Sequence, residues 1–319
     1  MIKILNCKNK NFFKELNIFL NRRRHGKQTA TKIVNQIIKD VKKNKLEAVL
    51  KYEKKFNKNK TIRPSLKKIN KSIKSLNPKI KKAIDFAYDR ILNFHSRQKF
   101  KDISYVDKFK NKLEYKYIPI NSVGIYVPSN LPSTLLMNAI PAKIAGVKRI
   151  ILASPNLNSA VLYAARKIGI KEIYCMGGAQ AIASLAYIQK VNKIIGPGNI
   201  YVAKAKRQVF GDVGIESMIA GPSEITVVAD KKTNLNEVIT SLIAQAEHDI
   251  NSQCILITKD KNLIKNLNKN ISKSLKNLPR NKIARKSLKD NGLIVYAKND
   301  KNITEVINEV STEHLELNI

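Results

Sequence analysis

RIILASPNLNSAVLYAARKIGIKEIYCMGGAQAIASLAY, residues 149–187, decides the fold. The short apolar run 149–153 reads as a strand, and 159–169 carries aliphatic residues at helical spacing. A second strand follows at 172–175, then a glycine pair and a helix at 179–187. Strand, helix, strand, helix with short connections is the pattern of parallel βαβ units in a doubly wound sheet.

The pattern extends both ways. Upstream, Val123-Gly124-Ile125-Tyr126-Val127-Pro128 is a strand entering a loop, followed by a helix at 135–146. Downstream come a strand at 193–195 and a helix at 200–209. Strands at 225–229, 254–258 and 293–296 alternate with helices at 235–247, 263–275 and 303–310, which makes a second βαβ set. Residues 11–100 read mostly as helices. Ile33, Ile37, Ile38 and Val41 share a stripe, Val49, Leu50 and Tyr52 continue into a second short segment, and 79–99 carries Ile80, Ile84, Ala87 and Ile91. The expectation is an α/β protein of two Rossmann-like domains with parallel sheets and a helical N-terminal segment. Residues 1–115 and 230–310 are expected in the first domain and 116–229 in the second, joined by 311–319.

Composition limits the class. A chain of 319 residues, 43% hydrophobic, suffices for two cores. The start has no apolar core of a signal peptide, and no apolar run approaches the roughly 20 residues that span a bilayer. A soluble protein without a membrane partner is expected. Three widely spaced cysteines suit a reducing cytoplasm and form no CxxC metal motif. The net charge of +36 invites a nucleic-acid reading. Yet only eleven residues are Arg, and the lysines are spread along the chain with little aromatic interleaving. Tight phosphate and base readers favour Arg and stacking aromatics. A solvated lysine surface, without specific nucleic acid, is expected.

Several stretches could carry chemistry. Asn234 and Glu237 resemble a capping pair at the start of a helix whose buried stripe runs to Ala246. Gln245 lies at the stripe's edge, and His248 follows three residues on. The two could ligate a divalent metal, although a helix-terminal His near the negative end of the dipole has the same spacing. Gly196-Pro197-Gly198-Asn199 lies at a strand-to-helix turn. It could admit an anionic ligand, or be a tight turn with Asn199 as N-cap. Met176-Gly177-Gly178-Ala179-Gln180 is a second such turn, and Ala220-Gly221-Pro222-Ser223-Glu224 precedes a strand. In Glu313-His314 a carboxylate adjoins an imidazole, a pair able to move protons near neutral pH or an exposed polar loop. His25 and His95 read as structural or exposed.

Taken in order, Val123–Pro128, Gly177–Ala183, Gly196–Asn199 with Ala203–Arg207, Ala220–Glu224, Gln245–His248 and Glu313–Leu317 resemble the histidinol dehydrogenase family. The resemblance runs from about residue 30 to the last. It implies oxidation of L-histidinol to L-histidine through a bound aldehyde with two NAD+, in a zinc-dependent cytoplasmic homodimer. It implies Glu313 as the activator of water and His314 as the general base. Tyr126, Gln180 and Asn199 match NAD-contacting positions. Gln245 and His248 match zinc ligands, and with Ser223, Glu313 and His314 they match substrate positions.

The sequence departs from the family pattern in three places. The family's other zinc ligands, an Asp and a His, and a substrate-binding Glu lie beyond its Glu-His motif, whereas this sequence stops at Leu317-Asn318-Ile319. An absent C-terminal tail domain is expected from this, with consequences for zinc and for the dimer. The loop Ser129-Asn130-Leu131-Pro132-Ser133 replaces a longer one with a glycine pair, and 187–194 is short. The alternatives these departures raise are a degenerate homologue without a complete zinc site, or a basic nucleic-acid-binding protein on the same scaffold.

Overall fold

The computed structural model describes residues 2–25, 27–128, 130–216 and 224–319. Ser223, with the stretch before it from 217, lies outside the described residues. Two compact units emerge: a composite unit of Met1–Gln28 with Gly221–Ile319, and a continuous unit of Thr29–Ala220. Residues 29–115, expected with the two ends of the chain, fall in the continuous unit, whereas 221–229, expected in the second domain, and 311–319, expected as a link, fall in the composite unit.

Along the chain, β1 (Lys3–Asn6) and α1 (Phe12–His25) belong to the composite unit. The next helix, α2 (Lys27–Tyr52), breaks at Lys45, whose φ of 47° is left-handed, so it is two segments as expected. A π-turn at Glu53–Asn57 ends it. Then come α3 (Leu66–Lys74), capped by Ser65, and α4 (Pro78–Ser96), capped by Asn77 with Pro78 in its first turn. In α4, Ile84 is buried but Ile80 is exposed, so the expected stripe is shorter.

The hairpin of β2 (Ile103–Val106) and β3 (Lys112–Tyr115) is antiparallel and was not expected. Its turn is organised by Asp107, whose Oδ1 accepts the N–H groups of Phe109 and Asn111 at 2.8 Å each.

The continuous unit's main sheet follows. Its elements are β4 (Ser122–Tyr126), α5 (Pro132–Ile144), β5 (Arg149–Ser154), α6 (Ser159–Ile168), β6 (Glu172–Cys175), α7 (Gly178–Tyr187), β7 (Lys193–Ile195), α8 (Ile200–Val209) and β8 (Gly214–Ile215). Strand order is β6-β5-β4-β7-β8, all parallel. Val123 and Ile125 bury with α4, α5 and α6 on one face; Ile151, Tyr174 and Ile194 bury with α2, α7 and α8 on the other. The order reverses between β4 and β7, the kind of switch point beyond whose carboxyl ends open α/β sheets hold their ligands.

The composite unit resumes with β9 (Glu224–Ala229), α9 (Leu235–Ala246), β10 (Gln253–Thr258), α10 (Lys261–Ser274), α11 (Asn281–Asn291), β11 (Gly292–Tyr296), α12 (Asp300–Val310) and β12 (His314–Asn318). The parallel order is β1-β11-β10-β9-β12. Residues of β9, β10 and β11 are buried on both faces, as their unbroken apolar runs require. One face packs α9, α10 and α11; the other packs α1 and α12. The fold is thus α/β with two parallel sheets, as the sequence implied. No helix among the described residues is long and apolar enough to cross a membrane.

Candidate active site

The candidate residues fall into two groups, one in each unit. In the continuous unit, Tyr126 ends β4, Gln180 stands in the first turn of α7, and Asn199 caps α8. All three therefore lie at the carboxyl ends of the strands, where open α/β sheets hold their ligands.

Tyr126 and Gln180 share one hydrogen-bond network. The Gly178 N–H donates to the Tyr126 hydroxyl at 3.3 Å. The Gly177 N–H and the Gln180 side-chain amide each donate to Glu53 Oε1 at 2.8 Å. Asn57 and Asn59 donate their side-chain amides to Glu53 Oε2 at 2.9 Å. Burial, and the nearby Glu53 charge, push the Tyr126 phenol above its usual range, so it stays neutral. The turn between Met176 and Gln180 thus spends its backbone donors within the protein. The positive end of α7 is already met by a carboxylate.

The loop after β7 meets the same place. Gly196 has a φ of +106°, and a Cβ there would lie 2.1 Å from the Tyr126 carbonyl oxygen. The glycine is required by the approach of β4's end, independently of any ligand. Asn199 Oδ1 accepts the N–H groups of Tyr201 and Val202, at 3.1 and 3.2 Å. Its oxygen therefore caps the helix, on an exposed residue. Buried Lys206 donates to the Gly196 carbonyl and to Glu216, which anchors the loop from below. Burial holds the Lys206 ammonium below its usual range, against the opposing pull of Glu216. This loop and the Tyr126–Gln180 network thus lie together at the carboxyl ends of β4 and β7.

In the composite unit the candidates cluster at the opposite, amino ends of the strands. Asn234 caps α9 by accepting the Asn236 N–H at 2.9 Å. Gln245 is buried in its last turn. The helix ends at Ala246, and His248 lies beyond it, its N–H donating to the Gln245 carbonyl at 3.3 Å. His248 is exposed, and its own carbonyl accepts from Arg280 at 3.2 Å.

His314 opens β12 in register with Ile225, which is in register with Cys254. Register partners in parallel strands point to one face. That face is α9's, because the Cys254 thiol reaches the Leu242 carbonyl at 3.3 Å. His314 therefore shares a face and an end of the sheet with Gln245. Its Nδ1 lies 3.0 Å from the Glu224 carbonyl oxygen. A carbonyl only accepts, so Nδ1 carries a proton, and in the neutral tautomer this selects, the lone pair is on Nε2. Glu313, in the bend before the strand, is exposed. The imidazole is oriented by a backbone carbonyl.

The donors for a metal are fewer. The buried Gln245 Nε2 has no hydrogen-bond partner among the described residues, and a turned amide would present its oxygen there instead. Gln245 and His248 suit a metal as two donors. Among the described residues, no cluster of three or more His, Cys, Asp or Glu completes a zinc sphere of the usual three or four protein ligands.

His25 ends α1, and its side chain is not described. His95 turns to Gln98, with Nδ1 2.6 Å from Oε1, and is structural. No thiol offers itself as a nucleophile. Burial, then Glu305, pushes the Cys7 thiol up to about 11, and burial also raises Cys175. At pH 8, iodoacetamide is expected to modify Cys7 about 100-fold more slowly than a free cysteine, followed by mass spectrometry. Modification at the free-thiol rate would contradict this burial.

Sequence reasoning missed Glu53. It is one acid in a lysine-rich helical stretch, and its partners Gly177 and Gln180 lie 124 and 127 residues away, so no local signal marks it.

Comparisons with known proteins agree on one family. The histidinol dehydrogenase family model matches residues 20–319. Histidinol dehydrogenase of Pelagibacter ubique (strain HTCC1062) is 58% identical over the whole of this chain and 77% of its own length. That of Acinetobacter baylyi is 44% identical over 90% of this chain and 70% of its own. The crystal structure of histidinol dehydrogenase from Elizabethkingia anophelis superposes with a TM-score of 0.79 at 37% identity, covering 90% of this chain and 70% of that one.

Proposed function

The chain belongs to the histidinol dehydrogenase family and is an oxidoreductase of histidine biosynthesis, and from this premise we propose that it oxidises L-histidinol to L-histidine with two NAD+. The observation that carries the mechanism is the His314 imidazole, held by the Glu224 carbonyl with Nε2 as its basic atom.

In the first step His314 Nε2 takes the alcohol proton as the substrate's C–H hydride passes to NAD+, giving the aldehyde, NADH and a proton. Glu313 then draws a proton from water as the hydroxide adds to the aldehyde carbon, and that proton passes on to the former carbonyl oxygen, forming the hydrate and restoring the carboxylate. His314 takes a hydroxyl proton of that hydrate as a second hydride leaves, giving the carboxylic acid and a second NADH. The base must lose its proton between steps, which its exposed position permits. Tyr126, Gln180 and Asn199 bind NAD. Ser223, Gln245, His248, Glu313 and His314 contact the substrate. Gln245 and His248 are the residues that would hold zinc, which when bound orients the amino alcohol and polarises its oxygen. A cytoplasmic homodimer belongs to the same reading.

The test is stoichiometric. Purified chain, supplied with zinc, is expected to form two NADH per L-histidinol consumed, read at 340 nm, with histidine by chromatography. One NADH with free aldehyde would overturn the two-step reading, and no NADH would overturn the activity.

A further inference from the structure

Glu53 has a role that the reaction scheme leaves unassigned. Its carboxylate is fully buried, yet no cation pairs with it among the described residues. Four N–H donors, two on each oxygen, replace its water. Such a set tolerates a buried charge only while every donor stays aligned. It is also directional. Three donors come from amide side chains and one from the N-terminal backbone of α7, so the carboxylate fixes both the Gly177 peptide and the Gln180 rotamer. With one amide N–H committed to Glu53, Gln180 has its orientation set and keeps the amide oxygen and the second N–H to offer. Gly177 has no room for a side chain, since a Cβ there would lie 2.4 Å from Pro155 Cβ.

We propose that Glu53 is a positioning residue for cofactor binding, acting through Gln180 and the Gly177–Gly178 turn to fix the amide that meets NAD. This rests on the reading that Gln180 contacts NAD.

The test is NADH binding by fluorescence titration, beside KM for NAD+ and for L-histidinol. Glu53→Ala is expected to weaken NADH binding about tenfold, the scale of one or two lost hydrogen bonds. KM for NAD+ should rise in step, and KM for L-histidinol should not change. Glu53→Gln is expected to recover most of the loss. Its oxygen still accepts from Gly177 and Gln180, and its nitrogen can donate to Asn57 or Asn59 once either amide turns over. In a Gln180→Ala background, Glu53→Ala should add little further loss.

Wild-type NADH affinity in Glu53→Ala, beside a weakened Gln180→Ala, would overturn this proposal alone. Wild-type affinity in Gln180→Ala would overturn the assigned contact and this proposal with it. Additive losses in the double variant would also overturn it. Should Glu53→Ala fail to fold, the Asn57→Ala/Asn59→Ala double variant frees the second oxygen. It is expected to weaken NADH about threefold, and unchanged binding there counts against the proposal.

Discussion

His314→Asn is expected to lower histidinol turnover about 10²–10⁴-fold, the usual worth of a positioned general base. The asparagine amide can still donate to the Glu224 carbonyl that now receives Nδ1–H at 3.0 Å, so the strand end should keep its geometry. What disappears is the lone pair on Nε2. L-Histidinol binding, followed by calorimetry, should change far less than kcat, because the lost group acts on a proton in flight. A variant within about threefold of wild-type kcat would remove His314 from its proposed role. Glu313→Gln separates the two halves of the chemistry. The first NADH should form at nearly the original rate and the second slowly, read as a burst in a stopped-flow trace.

Gly196→Ala should destabilise the fold strongly, since among the glycines of the described residues it combines the closest overlap with a positive φ. The new carbon would lie 2.1 Å from the Tyr126 carbonyl oxygen, on a residue whose φ is +106°. Neither partner yields easily. The oxygen belongs to the end of a central strand, and Lys206 holds the glycine's own carbonyl. Backbone strain and overlap together should cost about 2–5 kcal/mol. For a unit of this size that lowers Tm by about 5–15 °C, seen by circular dichroism. Below that temperature NADH binding should weaken as well, since Asn199 moves with the loop. A melting temperature within about 2 °C of wild type would mean that the loop finds another path.

The parallel strands were legible because their sequences are unbroken β-branched and aliphatic runs, such as Ile225–Ala229 and Cys254–Thr258. The elements missed lack that contrast. β1 reads Lys-Ile-Leu-Asn, and the hairpin β2–β3 is exposed at every position. α11 buries only Ala284, Ser287 and Leu288 on a polar helix. β12 hid inside a chemical motif: His-Leu-Glu-Leu-Asn alternates as an edge strand should, but the histidine drew the reading toward a loop. The site divided in the same way. Histidine occurs four times in the chain, so its placement is informative. Acids are common, and the one that organises the Gly177–Gln180 turn gains its meaning only from distant partners. Side-chain direction was also out of reach: no sequence pattern predicts that His314 turns to a backbone carbonyl and not to its neighbour Glu313.

The pairing of Lys3 with Leu293 sets a timetable for synthesis. The continuous unit can fold once residue 220 has left the ribosome, since its sheet draws nothing from either end of the chain. β1 pairs only with β11. At about 5–20 residues per second, it waits about 15–60 s for its partner to be made. For that interval Lys3–Asn6 has no sheet to join, and its backbone donors and acceptors stay open until Gly292–Tyr296 has been made. Chaperones that bind extended apolar segments have their main opportunity there.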